Sequence, residues 1–225
     1  MYSTLSCYSS FDCEIQTEHY SSSMIYFIVT ASVFNSCKIR EEQYKNGITT
    51  LKNMIKKNNI NEYKIIIVEN NGERNTFLND LDCDVFYTTN NTIPTNNKGI
   101  KELQDVTDCI EKYNINDSDF IVKMTGRYIL QENSEFMNTI ALHHYDCVIK
   151  YGSYLHPVSY QMDDCITGLI GMRCAYVKKI EMPSENECVE WNWAKVTRLI
   201  PNNDIYLVDK LGIKICPGSN EYIEV

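Results

Sequence analysis

Residues 119–130 read DFIVKMTGRYIL, an apolar run that breaks into a polar turn with one glycine and then resumes. A short apolar run between turn signals is typical of a buried strand. In open α/β sheets, ligands bind beyond the carboxyl ends of such strands. We therefore expect the polar residues at this end either to meet a ligand or, as the plainer alternative, to form a surface turn between two strands.

The side chains of this turn suit a phosphate or diphosphate. They are two cations, a hydroxyl, a phenol and a glycine, namely Lys123, Thr125, Gly126, Arg127 and Tyr128. Arginine offers a planar fork of donors and lysine a compact positive charge, and both bind phosphate oxygens. Taken alone, the turn favours the phosphate site and the plain surface turn equally.

Alternating strand and helix patterns predict an α/β fold. Continuous apolar runs at residues 24–30, 63–68 and 84–88 are typical of parallel strands covered on both faces. Apolar residues recur at helical spacing through residues 41–57 and again through residues 97–113. We therefore expect a mostly parallel, Rossmann-like sheet flanked by helices.

After residue 130 the alternation loosens, which predicts a smaller mixed part. We expect strands at residues 147–151, 165–172, 205–208 and 213–216, and helices at residues 75–81, 175–180 and 184–200. Residues 1–23 have neither a helical nor a strand period and are expected to form an N-terminal extension. Residues 24–225 would then form a single domain.

Composition excludes several classes of protein. A formal net charge of −9 argues against a general nucleic-acid binder, which needs a basic patch to neutralise phosphates. The chain has no apolar run long enough to span a bilayer, and its first residues lack the pattern of a secretory signal. Its ten cysteines contain no CxxC pair, so free thiols are expected. We expect a soluble, cytoplasmic protein.

Four stretches from residue 24 onward resemble the A-type fold (GT-A) glycosyltransferases, the nucleotide-diphospho-sugar transferases, in a small single-domain form of bacteria and large DNA viruses. They are IVTASVFN with the following REEQY, IIIVENNG, NKGIKEL and FIVKMTGRY. The resemblance implies an enzyme that moves a hexose from a nucleoside-diphosphate sugar, UDP being the commonest nucleotide, to a glycan or other hydroxyl acceptor. For a viral member the compartment would be the host cytoplasm. A homodimer is left open.

The resemblance divides the domain into a nucleotide-sugar half, residues 24–130, and an acceptor-side half, residues 131–225. In the first half it places Thr30, Ala31 and Glu69 at the donor nucleotide. Further donor-site candidates are Arg40, Asn97, Lys98 and Gly99. A carboxylate such as Glu69 accepts hydrogen bonds from ribose hydroxyls, and a helix beginning at Asn97 offers free N–H groups to an anion. The alternatives are an acidic turn residue at Glu69, a salt bridge of Arg40 on its own helix, and a plain helix cap at Asn97.

The chain departs from the family at the metal motif. Most members place an Asp-x-Asp triplet after the strand equivalent to residues 120–124, where it binds a divalent metal that holds the diphosphate. The triplets at residues 82–84 and 117–119 precede strands, so we expect them at the opposite end of the sheet. We therefore expect Lys123 and Arg127 to replace the metal and no cofactor to be required. Manganese or magnesium stays open as the alternative.

On the acceptor side, Asp163 and Asp164 follow a loop and precede Thr167 and Gly168. The resemblance places the acceptor there, and the acidic pair could bind sugar hydroxyls, ligate a metal, act as a base, or be a solvated loop pair. Two more acceptor-side candidates are His156, in the same loop, and Trp191, whose ring could stack on a sugar or pack in the core.

Direct attack by an acceptor hydroxyl needs a carboxylate that takes its proton, and the resemblance places this base on the helix expected after Ser184. Glu187 completes an S-x-x-E capping box with Ser184, which gives it a structural role. Glu190 lies between apolar Val189 and Trp191, where partial burial would raise its pKa. We favour Glu190, with Glu187 and Asp164 behind it.

Two other functions stay open. A sugar nucleotidyltransferase is the nearest alternative enzyme, although VTASVFN lacks the Gly-rich, Arg- or Lys-bearing loop that such enzymes place after the first strand. A degenerate transferase fold that only binds sugar is the alternative of a different class, because the chain has no well-placed Asp-x-Asp triplet.

Overall fold

The computed structural model describes residues 23–33, 37–152, 163–216 and 221–225. The strands are β1 (Ile25–Ala31), β2 (Tyr63–Glu69), β3 (Asp84–Tyr87), β4 (Phe120–Thr125), β5 (Ile129–Leu130), β6 (Cys147–Ile149), β7 (Leu169–Arg173), β8 (Ile205–Leu207), β9 (Ile213–Ile215) and β10 (Ile223–Glu224). The helices are α1 (Lys38–Lys57), α2 (Lys98–Lys112), α3 (Glu135–Ile140), α4 (Cys174–Val177) and α5 (Val189–Val196). Short 3₁₀ turns lie at Phe77–Asp80, Asn90–Thr92, Thr197–Leu199 and Asn202–Asp204.

Seven strands form one sheet in the order β3-β2-β1-β4-β7-β6-β8. The first four are parallel, β7 runs antiparallel to β4, and β6 and β8 again run with the first four. A second sheet of three strands, β10-β9-β5, is antiparallel. The predicted fold class, a mostly parallel sheet flanked by helices with a smaller mixed part, is confirmed.

The central strands are apolar on both faces because helices cover both. Phe27 and Val29 of β1 pack in a core with Leu51 of α1. Ile28, between them in sequence, points to the other face and packs in a second core with Leu103 of α2. Successive side chains of a strand alternate between faces, so β1 needs apolar residues at nearly every position.

The acceptor-side helix begins later than predicted. Residues 184–187 form a turn, and α5 begins only at Val189. Asn97 holds this turn, because its side-chain amide donates to the main-chain carbonyls of Ser184 and Glu187 at 3.0 and 2.8 Å. The predicted N-terminal extension falls outside the described residues, apart from Ser23. Across the parts of the chain that the structure describes, the helices are too short or too polar to cross a membrane.

Candidate active site

A pocket of about 450 Å³ lies at the carboxyl ends of β1 and β4, between α1, α2 and α5. The site residues predicted from sequence that line it are Thr30, Ala31, Arg40, Lys98, Thr125, Arg127, Tyr128, Thr167 and Glu190. Its other lining residues are Ser32, Tyr44, Asn70, Asn91, Lys101, Glu102 and Asp105. The fold thus brings cations from the donor half together with Glu190 from the acceptor half.

Lys123 lies beneath the pocket and is not part of its lining. Its position on β4 pairs with Ile28 of β1, so its side chain points to the face that α2 covers. The side chain is 2% exposed, and its ammonium forms an ion pair with Glu102 at 2.7 Å and donates to the carbonyl of Thr167 at 2.7 Å. The charge of Lys123 therefore fixes the position of the Glu102 carboxylate. A direct contact between Lys123 and a phosphate stays a prediction.

Cationic side chains surround the pocket. Arg127 donates to the side-chain oxygen of Gln43 at 3.3 Å, and within the described residues it forms no ion pair with a carboxylate. The ammonium of Lys101 donates a hydrogen bond to the main-chain carbonyl of Asn91 at 2.7 Å. With Lys98 and Arg40 in the same lining, four cationic side chains of the pocket suit an anionic ligand.

Glu190 brings a carboxylate to this cationic pocket from the first turn of α5. The hydroxyl of Thr167 donates to its Oε1 at 3.3 Å. Burial raises the pKa of Glu190 above its ordinary value, and the negative charge of Glu102 adds to that effect. The predicted direction of the pKa shift is confirmed. A carboxylate with a raised pKa is a stronger base, which suits a group that must accept a proton.

Glu69 lies outside the pocket lining and is completely buried. Its Oε2 pairs with Arg74 at 2.6 Å, and its Oε1 accepts the main-chain N–H of Val33 at 2.9 Å. These bonds join the ends of β1 and β2. A contact between Glu69 and a nucleotide stays a prediction.

Asn97 and Gly99 begin α2, as the sequence predicts, in the arrangement of a helix cap. The side-chain oxygen of Asn97 accepts the N–H of Gly99 at 2.9 Å, so this donor is already used. A Cβ at Gly99 would lie 2.7 Å from the Cβ of Val189, which means that α2 and α5 pack closely here. Both residues therefore position the helices, whereas Lys98 between them reaches the pocket.

Main-chain bonds fix the turn after β4. The N–H of Gly126 donates to the carbonyl of Thr30 at 3.0 Å, and the N–H of Thr125 donates to the carbonyl of Gly168 at 3.0 Å. Gly126 and Gly168 do not line the pocket, but they hold the main chain from which Thr125 and Arg127 reach it.

The other carboxylates proposed from sequence lie outside the pocket lining. Glu187 Oε2 accepts the main-chain N–H of Ser184 at 2.8 Å, which is the predicted contact, but it closes the turn at residues 184–187 and does not cap α5. Asp164 accepts the N–H of Cys165 at 2.9 Å, and burial raises the pKa of its carboxyl. Asp163 is exposed and paired with Arg198. Their catalytic or acceptor roles stay predictions.

The two aromatic acceptor candidates are not part of the pocket. Trp191 is 49% exposed on α5, next to Glu190 in sequence but absent from the lining. It is therefore not a core residue, and stacking on a sugar stays a prediction. His156 lies outside the described residues.

The donor set after β4 does not fit a magnesium or manganese site. Such ions prefer carboxylate, carbonyl and water oxygens, whereas in this chain Lys123 lies within β4 and Arg127 follows it. Asp84 begins β3 and Asp119 directly precedes β4, so both Asp-x-Asp triplets lie at the opposite end of the sheet, as expected. In the described portion of the chain, no group of three His, Cys, Asp or Glu side chains could hold a metal ion.

Sequence reasoning missed two acidic residues of α2 that reach the pocket, Glu102 and Asp105. Asp105 is fully buried and accepts hydrogen bonds from Asn70 at 2.9 Å, Thr88 at 2.8 Å and Asn90 at 2.8 Å. Burial raises its pKa from 3.8 to about 6. Glu102 and Asp105 are three residues apart and therefore neighbours on one side of the helix, beside its apolar stripe. This spacing is the sequence signal that could have identified them.

The fold and the pocket define an α/β protein with a cation-lined site at the carboxyl ends of a largely parallel sheet. No protein-family model matches the chain, and no curated protein matches it. Among solved structures, the chain is similar to a mannosyltransferase from Pyrobaculum calidifontis in complex with GDP-Man and Mn²⁺, with 8% identity and a TM-score of 0.49. That match covers 82% of this chain but only 56% of the mannosyltransferase chain.

Two further solved structures show comparable similarity. One is a glycosyltransferase involved in the glycosylation of the major capsid of PBCV-1, with 11% identity, a TM-score of 0.43, and coverage of 83% of this chain and 81% of that chain. The other is 4-diphosphocytidyl-2C-methyl-D-erythritol synthase from Anaerococcus prevotii, with 11% identity, a TM-score of 0.45, and coverage of 83% and 86%. Similarity at this level decides neither the reaction nor the substrate of this chain.

Proposed function

We propose that the protein is a glycosyltransferase that moves a hexose from a nucleoside-diphosphate sugar, with UDP as the first nucleotide to test, to a hydroxyl of a glycan or related acceptor. The observation that carries the proposal is the joint presence of Glu190, with its raised pKa, and of Arg127 and Lys98 in one pocket. A transfer from a nucleotide sugar needs both a proton acceptor and cations that stabilise the leaving diphosphate.

In the proposed reaction the acceptor oxygen attacks the anomeric carbon as its proton passes to Glu190. The bond between that carbon and the diphosphate oxygen breaks, and the diphosphate leaves with the electron pair. Arg127 and Lys98 stabilise the added negative charge on the diphosphate. In this proposal Arg127, which follows β4 where the resemblance implies an Asp-x-Asp triplet, takes the role of the metal ion.

The screen that tests this proposal measures thermal shift with UDP-, GDP-, CDP- and dTDP-hexoses, each with and without manganese. We expect a saturable rise in Tm with at least one donor, and about 2.7 kcal/mol of stabilisation at a hundred times the Kd. Slow release of the nucleoside diphosphate would then show that the site is chemically competent.

Other outcomes point to the alternatives. Stabilisation by a nucleoside triphosphate and a sugar phosphate, with pyrophosphate release, would favour a nucleotidyltransferase. Binding of sugars without any nucleotide would favour the non-catalytic sugar-binding module. The absence of a shift with every nucleotide sugar would overturn the proposed transferase function.

A further inference from the structure

We propose that Glu102 binds the hydroxyl groups of a sugar ring of the nucleotide-sugar donor and so helps to select it. This inference rests on the proposed transferase function, because it takes the pocket to be the donor site. Glu102 lines that pocket together with Glu190, and its side chain is 28% exposed.

Three donors hold the same oxygen of Glu102. Its Oε1 is 2.7 Å from the ammonium of Lys123, 2.8 Å from the hydroxyl of Thr30 and 3.4 Å from the hydroxyl of Thr125. Thr30 and Thr125 are register partners on β1 and β4, so the two central strands present these donors side by side. The carboxylate is therefore fixed in place before any ligand arrives.

In this proposal the second oxygen of Glu102, Oε2, meets the ligand. Among the described residues no donor reaches Oε2. An ionised carboxylate only accepts hydrogen bonds, so its partner must be a donor. In a nucleotide sugar the hydroxyls of the ribose and of the hexose are such donors, whereas the diphosphate is an anion that Glu102 repels. A carboxylate held rigidly loses little conformational entropy on binding.

The contacts of Glu69 make it less suited to this role than Glu102. Both of its oxygens are occupied by Arg74, Val33 and Asn71, and its side chain is completely buried. Glu102 is thus the carboxylate beside β1 that combines a fixed position with exposure to the pocket.

The test compares Glu102→Gln with Glu111→Gln, which makes the same change of charge at an exposed position on the same helix. The affinity of each variant is measured for the nucleotide sugar that binds the wild type, for its free nucleoside diphosphate and for the 2′-deoxy form of that diphosphate. We expect Glu102→Gln to weaken binding of the nucleotide sugar by about tenfold, the range of a charged hydrogen bond, and Glu111→Gln to leave it unchanged.

The ligands separate the two sources of hydroxyls. If Glu102 contacts the ribose, Glu102→Gln weakens binding of the free nucleoside diphosphate as much as binding of the nucleotide sugar. The variant and the wild type should then bind the 2′-deoxy form equally well. A hexose contact predicts a loss for the nucleotide sugar alone. Unchanged or tighter binding of every ligand by Glu102→Gln would overturn the inference, since removing a mere negative charge near a diphosphate strengthens binding. If the wild type binds no nucleotide sugar, the proposed function itself fails.

Discussion

At the scale of single residues, the proposed chemistry depends most on Glu190. Replacing Glu190 by Gln keeps the shape of the side chain but removes its ability to accept a proton. We expect the turnover number to fall by about a hundredfold to ten-thousandfold, the usual contribution of a general base. The measurement is the rate of nucleoside diphosphate release at saturating donor and acceptor.

Donor affinity provides the control for this variant, and it should not fall below that of the wild type because the cations are untouched. A large loss in Glu187→Gln with full activity in Glu190→Gln would instead place the base on the turn before α5.

The pH dependence of kcat/KM of the wild type should show the titration of Glu190. Burial raises its pKa above the ordinary 4.5, and only the ionised form can take a proton. We therefore expect kcat/KM to rise with pH through a value above 4.5 and then to level off. This acidic limb should be missing from the residual activity of Glu190→Gln. An identical limb in the variant would assign it to another group.

At the scale of elements, α1 positions the turn after β4 through a glycine. A Cβ at Gly47 would lie 2.7 Å from the carbonyl oxygen of Tyr128 and closer still to that of Gly126. Gly47→Ala should therefore displace this turn, at a cost of about 1–3 kcal/mol of unfolding free energy, although alanine favours a helix. The affinity for the donor should also fall, because displacing Gly126 displaces the neighbouring Arg127.

Chemical denaturation with and without donor measures both effects. Asn53→Ala, at an exposed position of the same helix, is the control and should change stability by less than about 0.5 kcal/mol. A Gly47→Ala protein that is more stable and binds donor normally would refute the close packing of α1 on the turn.

Asp105 joins α2 to the ends of β2 and β3, and this connection should depend on pH. Its folded pKa of about 6 exceeds the unfolded value of 3.8, so its protonated form favours the folded state. That contribution is fully present below about pH 4 and is lost as the pH rises through 6, and linkage sets its size at about 3 kcal/mol.

The measurement is the unfolding free energy of the wild type minus that of Asp105→Asn, from pH 4 to pH 7. The difference should fall as the pH rises, since other titrating groups cancel between the two proteins. A difference that stays flat or increases would contradict the burial of this carboxyl.

At the scale of the whole molecule, the sequence predicted the sheet better than the site. Apolar runs such as residues 63–68 mark buried strands because both of their faces must be covered. The late start of α5 was not predictable, since Asn97, distant in the chain, holds residues 184–187 in a turn. The pairing of Lys123 with Glu102 was missed for the same reason, because it joins a strand to a helix.

Because the whole molecule is negatively charged, binding of an anionic donor should depend on the cations of the pocket. A net charge of −9 repels a nucleoside diphosphate, so its binding must come from local positive groups. Arg127 is the cation of the β4 turn that lines the pocket, and among the described residues no carboxylate neutralises it in an ion pair.

The most direct test of the account is the equilibrium binding of the nucleotide sugar in the presence of EDTA. We expect the wild type and Lys112→Ala, which loses an exposed cation of α2, to bind equally well without metal. Arg127→Ala should bind at least about tenfold more weakly, because it loses charged hydrogen bonds to the diphosphate. Binding that requires manganese, or full affinity in Arg127→Ala, would contradict the claim that cations of this turn hold the diphosphate.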